Sequence, residues 1–211
     1  YMWDAKENYW FGHEWDSTSP WQPKGTGENE NYPESNADGN RWCHEGDGSF
    51  EASVNPLFKK LPNANEMVWY VMKGDPHWDN TTQWKAFGKT YIGGVWLKKL
   101  SVIARENSKT LSDLKNKDHE GFDLRATYKD YSISPKSGKP NDSEINNYFF
   151  LPALGYYLFG QLNYLGYSGD YWSSSADPSS SIYAYNLTFN SGGVHVNNNN
   201  RSIGFVAQPF E

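Results

Sequence analysis

The clearest helical pattern of apolar and polar positions lies between Asn63 and Lys73. Its apolar residues recur three and four positions apart, which forms one stripe along a helix: Ala64, Met67, Val68, Val71 and Met72. Asn63 is a suitable N-cap, and Glu66 completes the pattern of a capping box. Gly74-Asp75-Pro76 stops the helix. The stripe is typical of a helix face packed on a core.

The patterns between this helix and residue 146 are weaker. We expect a second, short helix that is capped by Thr81 or Thr82 and ends at Gly88. The segment from Tyr91 to Ala104 contains β-branched and aromatic residues and is expected to include a strand. A helical turn is expected near Leu111–Lys115.

The last third of the chain has the pattern of short strands separated by tight turns. Runs of Tyr, Phe, Val, Ile and Thr alternate with Gly, Asn and Ser. Asn190–Gly193 predicts a hairpin loop, because glycine adopts positive φ at little cost. After the loop the period is two, so Val194 and Val196 share one face and His195 takes the other. The Asn197–Asn200 run is typical of a plain turn.

Polar residues of these runs predict an outward, adaptable binding surface, since Tyr, Asn and Ser are typical of such surfaces. Its members in the predicted hairpin are Tyr183, Tyr185, Thr188, Asn190, His195 and Asn197. With neighbouring polar positions, the predicted ligand-binding residues are Asp177, Ser179, Ser180, Tyr183, Tyr185, Thr188, Asn190, His195, Asn197 and Asn199.

The patterns divide the chain into parts of one domain. Residues 1–60 are expected to form long ordered loops, residues 61–146 helices and loops, and residues 147–211 the strand-rich part. Four tryptophans are expected to pin the loops: Trp10, Trp15, Trp21 and Trp42. A length of 211 residues suits a single core. We therefore expect one α+β domain over residues 1–211.

Composition narrows the classes of function. The net charge is −6 and there is no basic block, which disfavours nucleic acid as a partner. The single cysteine, Cys43, excludes an internal disulfide and is expected to be a small buried residue. No apolar run approaches the roughly 18 residues that span a bilayer, so we expect no direct membrane insertion.

Two segments could carry enzyme chemistry with a metal ion. They place imidazoles beside carboxylates, and their residues are His13, Glu14, Asp16, His44 and Asp47. Neither has the His-Glu-x-x-His pattern, so solvated loop charges are the commoner explanation.

The serines of Tyr171–Ser175 lack the Gly-x-Ser-x-Gly pattern of a nucleophile. They are expected to satisfy backbone groups beside a core Trp172. We expect no catalytic residue, cofactor or metal.

Several motifs carry a resemblance to a known group. Leu151–Tyr156, Tyr171–Ser175, the Asn-rich hairpin and Arg201–Phe205 resemble the C-terminal signature of the Fibrobacter succinogenes major paralogous domain and related Bacteroidetes adhesins and fimbrial tip proteins. Asn63–Tyr70 is also similar to members from Bacteroidetes. The chain departs from many relatives at its end, where Ala-Gln-Pro-Phe replaces Arg-Cys-Val or a similar sequence.

The resemblance implies a C-type lectin-like fold on a bacterial cell surface or pilus, outside the cell. It implies a ligand-binding domain for a glycan or a host or bacterial surface protein, with pilus subunits as further partners. Related variable proteins are diversified by retroelements at Asn-rich positions. Because the chain begins at Tyr1, we expect it to be part of a longer surface protein.

Calcium-dependent sugar-binding members of this fold use Glu-Pro-Asn or Gln-Pro-Asp. Here Lys139-Pro140-Asn141 has an ammonium in place of the carboxylate. We therefore expect any glycan binding to use ring stacking and neutral hydrogen-bonding groups. Two alternatives stay open: a structural tip subunit without a ligand, and a metal-binding enzyme that uses the His13 and His44 loops.

Overall fold

A computed structural model describes residues 1–11 and 55–210. Within them the protein is a mixed α+β structure with few helices and several antiparallel sheets, which confirms the expected class. The expected positions of Trp15, Trp21, Trp42 and Cys43 lie outside the described residues. The helices are α1 (Ala64–Lys73), α2 (Leu100–Glu106) and α3 (Leu111–Asn116), and the strands are β1 (His77–Ala86), β2 (Lys89–Lys98), β3 (Tyr131–Ile133), β4 (Lys136–Ser137), β5 (Tyr148–Pro152), β6 (Tyr156–Leu158), β7 (Gln161–Asn163), β8 (Gly169–Ala176), β9 (Tyr183–Phe189) and β10 (Val194–Asn200).

The strands form two four-stranded sheets and one separate hairpin. The first sheet has the order β4-β1-β2-β5, and the second has the order β3-β10-β9-β8. Strands β6 and β7 form the hairpin. The pairing is antiparallel throughout the described sheets except between β1 and β4.

Helix α1 forms as its local sequence predicts. The Asn63 side chain accepts a hydrogen bond from the Glu66 amide, and the Glu66 side chain accepts one from the Asn63 amide. Its apolar stripe is in the main core, with Met67, Val68 and Val71 fully buried. The core continues into both sheets. The capping box therefore fixes the start of an element whose stability comes from packing.

A second cluster joins the beginning of the chain to its end. Trp3 and Trp10 pack there with Trp172 and Phe205. The Phe205 amide donates to the Tyr1 carbonyl at 2.9 Å, and the Trp172 indole donates to the same carbonyl at 2.8 Å. Trp172 is fully buried, so its predicted place in the core is confirmed.

The predicted second helix is wrong, because residues 77–98 form the β1–β2 hairpin. Both N-cap candidates, Thr81 and Thr82, lie in β1, whose register with β2 shifts between Asp79 and Gln83. The buried Asp79 carboxylate accepts hydrogen bonds from the Thr81 and Thr82 hydroxyls, and from the Trp96 indole at 3.0 Å. Pairing of β1 with β2 on both sides of this irregularity therefore decides the extended conformation. The strand expected within 91–104 and the helical turn near 111–115 are both confirmed.

Two hairpins carry a phenylalanine where the backbone is left-handed. The β1–β2 loop is Phe87-Gly88, with φ of 49° and 70°, and the β6–β7 loop is Phe159-Gly160, with φ of 50° and 73°. Two positive φ values in a two-residue loop are the pattern of a type I′ turn, which favours Asn-Gly. Tyr164 also has a positive φ, 58°. Each such conformation costs about 1 to 3 kcal/mol in a bulky residue.

Candidate functional site

The second sheet carries a row of polar side chains across its four strands. Ser132 of β3 lies opposite His195 of β10, which lies opposite Thr188 of β9, which lies opposite Asp170 of β8. Side chains directly opposite each other point to the same face of a sheet. With the next positions of β9 and β10, they form what we call the polar sheet face: Ser132, Asp170, Asn186, Thr188, His195, Asn197 and Asn199.

Hydrogen bonds connect four of these side chains in a chain that runs from Asn199 to Asp170. Asn199 Nδ2 donates to Asn186 Oδ1 at 2.9 Å, and Asn186 Nδ2 donates to Thr188 Oγ1 at 2.7 Å. Thr188 Oγ1 then donates to Asp170 Oδ1 at 2.8 Å. Ser168 Oγ donates to the other carboxylate oxygen of Asp170 at 2.8 Å. The network fixes side-chain rotamers on three strands, which is how a connected polar network specifies one geometry.

Burial sets the charge of the residue at the end of this network. Asp170 is 4% exposed, and its desolvation raises the pKa of the carboxyl to about 6. The hydrogen bonds from Ser168 and Thr188 favour the carboxylate and limit the rise. Asp170 therefore changes charge close to neutral pH while both of its oxygens are already used as acceptors. The role of Asp170 in this network is to hold the Ser168 and Thr188 side chains in place.

The predicted hairpin residues are divided between the two faces of the sheet. Tyr183 and Tyr185 pair with Asn200 and Asn198 on the face that also carries Val194 and Val196. The polar sheet face instead carries Thr188, His195, Asn197 and Asn199, because side chains alternate between the two faces along each paired strand. The prediction that these residues share one surface is therefore wrong. Only the second group is brought together.

Tyr185 is the clearest correction within this set. Its side chain is fully buried and its ring stacks on that of Tyr128 at 5.8 Å. The Tyr185 hydroxyl accepts a hydrogen bond from the Lys129 amide at 3.1 Å. Its predicted exposure is wrong because the main core and the Tyr128 ring pack against this face of β9. Tyr183, at the strand end, is 36% exposed.

Asp177, Ser179 and Ser180 lie in the connection between β8 and β9. The buried Asp177 carboxylate accepts hydrogen bonds from the Ser179 amide and hydroxyl, both at 2.6 Å, and from Asn198 Nδ2. The predicted exposure of Asp177 is wrong, since the side chain organises its own loop. Ser179 is exposed and Ser180 is half-buried.

The hairpin loop is confirmed, and Asn190 shapes it. Asn190 Oδ1 accepts hydrogen bonds from the amides of Gly192 and Gly193 at 2.8 and 3.1 Å. Its exposed side chain is thus occupied with the turn. The Asn197–Asn200 run, predicted as a turn, is the second half of β10 and pairs with β9 through to Tyr183. Pairing with a buried strand accounts for this difference.

Sequence reasoning missed three members of the polar sheet face: Ser132, Asp170 and Asn186. Extending period two from Thr188 back to Asn186 along β9 would have found one of them. Asp170 needed the β8–β9 register, which no local pattern supplies. The neighbouring serines behave as expected: Ser175 Oγ accepts from the Ala64 amide at 2.9 Å.

The metal alternative rests on residues that lie outside the described ranges: His13, Glu14, Asp16, His44 and Asp47. Residues 1–11 and 55–210 contain no group of three or more His, Cys, Asp or Glu side chains that could hold a metal ion.

No protein family, curated protein or solved structure matches this chain. In the described part of the chain, no helix is both long enough and apolar enough to cross a membrane. The resemblance to surface adhesins therefore stays a prediction, and the geometry of the polar sheet face is the basis for a function.

Proposed function

We propose that the chain is a ligand-binding domain of a bacterial cell-surface or pilus-tip protein, located outside the cell. It recognises a glycan or a surface protein and carries out no catalysis. The observation that carries this proposal is the row from Ser132 through His195 and Thr188 to Asp170, supported by a hydrogen-bonded network. The network fixes the side chains of Asn199, Asn186, Thr188 and Asp170 before a ligand arrives, which lowers the ordering cost of binding.

The groups available for recognition lie on strands. His195, Asn197 and Asn199 are half-buried along β10, and Ser132 is exposed on β3. Alternate residues of a strand are roughly 7 Å apart, so the side chains present donors and acceptors at a regular spacing. Amides and a hydroxyl can both donate and accept, which suits hydroxyl-rich glycans and peptide groups.

A C-type lectin-like fold belongs to the same proposal. Support comes from the mixed α+β class, the antiparallel sheets and the confirmed C-terminal hairpin. Retroelement diversification would act on the Asn-rich part of β10. There, a change at Asn197 or Asn199 alters the polar sheet face, whereas a change at Asn198 alters the opposite face.

An array of glycans and surface proteins, probed with the purified domain with and without EDTA, tests this proposal. We expect at least one ligand of the array whose binding survives EDTA and is lost in a His195→Ala/Asn197→Ala variant. A Tyr183→Ala variant is the matched control, because Tyr183 belongs to the other face. Binding that EDTA abolishes would favour the metal-binding alternative. The absence of any binding would favour a structural tip subunit.

A further inference from the structure

A cavity of about 570 Å³ is lined by none of the residues of the polar sheet face, although the amide of its lining residue Val206 donates to the Asp170 carbonyl at 2.9 Å. It is formed by the beginning of the chain, the tip of the β1–β2 hairpin, the β6–β7 hairpin and residues 204–208. Its volume is within the roughly 300 to 1,000 Å³ typical of small-molecule sites. Seven aromatic side chains dominate its lining: Tyr1, Tyr9, Trp10, Phe87, Tyr156, Tyr157 and Phe205.

The rings form an ordered wall. Tyr9 and Tyr157 stack with centroids 5.1 Å apart and planes inclined by 13°. Trp10 meets both rings edge-on, at 5.6 and 5.8 Å. Tyr156 contacts Phe205 edge-on at 5.9 Å. The Tyr9 hydroxyl accepts a hydrogen bond from the Gly160 amide at 3.0 Å, which ties the wall to the β6–β7 turn. The wall is therefore held in place from several elements.

The chemistry of the lining indicates a neutral ligand. Among the described residues that line the cavity, none is Asp, Glu, Lys, Arg or His. The polar side chains are the amides of Asn8 and Gln208 and the tyrosine hydroxyls. Burial raises the pKa of Tyr156 and of Tyr157, so these hydroxyls stay protonated. A charged ligand would lose its hydration here without gaining an opposite charge.

Backbone conformation points to the same place. Phe87, which lines the cavity, occupies a left-handed position that favours Asn. Tyr164 is also left-handed, is 61% exposed, and has its ring 5.8 Å from that of Tyr156. Phe159, left-handed and 68% exposed, is at the tip of the hairpin that supplies Tyr156 and Tyr157. Folding alone favours neither a left-handed backbone at an aromatic residue nor the exposure of its ring. Residues with strained backbone are common at ligand sites.

We propose that this cavity binds a neutral saccharide. A sugar ring presents apolar C–H groups on its faces and hydroxyls around its edge. The faces match the aromatic wall, and the edge matches the amides and the tyrosine hydroxyls. Tyr164, beside Tyr156, extends the aromatic surface for the next sugar of a short chain.

The test uses the whole chain and a panel of neutral oligosaccharides of two to four sugars: β-1,4-glucan, α-1,4-glucan, xylan, mannan and N-acetylglucosamine fragments. Titration calorimetry and the tryptophan fluorescence of the domain report binding. Phe87→Asn and Tyr164→Asn remove a ring while placing a residue that tolerates left-handed backbone. Ser108→Asn is the matched control, because Ser108 is left-handed at 53° and does not line the cavity.

At least one oligosaccharide is expected to bind, with affinity reduced about tenfold or more in the Phe87→Asn and Tyr164→Asn variants. Phe87→Asn is expected to keep or raise the melting temperature, by about 2 °C. The control and the His195→Ala/Asn197→Ala variant are expected to bind the oligosaccharide normally.

Three outcomes would overturn the proposal. The first is that no oligosaccharide in the panel binds. The second is binding that is equally strong in the wild type and both Asn variants. The third is binding of a fatty acid or an apolar dye in the cavity without any oligosaccharide binding. If Phe87→Asn fails to fold, Tyr164→Asn alone decides, since its ring is mostly exposed.

Discussion

Asp170 is the residue whose ionisation is most directly coupled to the polar sheet face. Its pKa is about 6 in the folded protein, against an ordinary value of 3.8. Between these two values the unfolded chain has released the proton while the folded chain still holds it. The free energy of unfolding therefore falls as the pH rises from about 4 to about 6, and this group contributes no further change above that range.

The Asp170→Asn variant tests this coupling. The raised pKa of Asp170 accounts for a decrease of about 3 kcal/mol in the free energy of unfolding between pH 4 and pH 7.5. Urea unfolding at pH 4 and pH 7.5 should show that the variant lacks this component, so that it gains stability relative to the wild type at the higher pH. Asp142→Asn is the control, because that side chain is exposed. An equal pH dependence in Asp170→Asn and the wild type would show that the carboxyl is ordinary.

Individual residues were predictable from sequence where a local pattern was enough. Trp172 is in the core as expected, and Ser175 bonds to a backbone amide. Tyr185 and Asp177 were predicted as exposed because polar atoms usually face water. Tyr185 is buried with its hydroxyl bonded to the Lys129 amide, and Asp177 is buried with its carboxylate bonded to Ser179 of its own loop and to Asn198. The distant partners, Lys129 and Asn198, are not visible in a local sequence pattern.

Among the elements, α1 has the most local determinants, and its N-cap gives a quantitative prediction. Asn63 Oδ1 accepts from the Glu66 amide at 3.0 Å, and Asn63 Nδ2 donates to the Lys115 carbonyl at 2.8 Å. Asn63→Ala should lower the free energy of unfolding by about 1 to 2 kcal/mol, since it removes both bonds. Thr110→Ala, at the exposed cap of α3, should cost less, about 0.5 kcal/mol. Chemical denaturation measures both; a larger loss for Thr110→Ala would contradict the role of burial.

The contrast between α1 and β1 shows what limits prediction of an element. The capping box and apolar stripe of α1 lie within its own residues. In β1, the threonines look like a helix cap, but Asp79 binds them and also accepts from Trp96 on the neighbouring strand. The same limit applies to Asn197–Asn200, where pairing with β9 decides the conformation.

On the scale of the whole molecule, the sequence predicted the α+β class and a strand-rich last third, and both are present. It did not predict how the beginning of the chain joins the end. The Trp3 amide donates to the Arg201 carbonyl at 2.9 Å, and the buried Arg201 guanidinium lies 4.5 Å from the Trp3 ring. Contacts so distant in sequence leave no periodic signal. The polar sheet face and the aromatic cavity both depend on such contacts.

The alternating asparagines of β10 allow the central claim to be tested within one molecule. Asn197 and Asn199 lie on the polar sheet face, whereas Asn198 lies on the other face and donates to Asp177. The best ligand from the array is titrated into labelled protein, and the side-chain amide signals of these asparagines are followed by NMR. We expect the signals of Asn197, Asn199 and the His195 imidazole to shift when ligand is added, while the signal of Asn198 stays unchanged. Shifts at Asn198 and Tyr183 without shifts at Asn197 would contradict recognition through the polar sheet face.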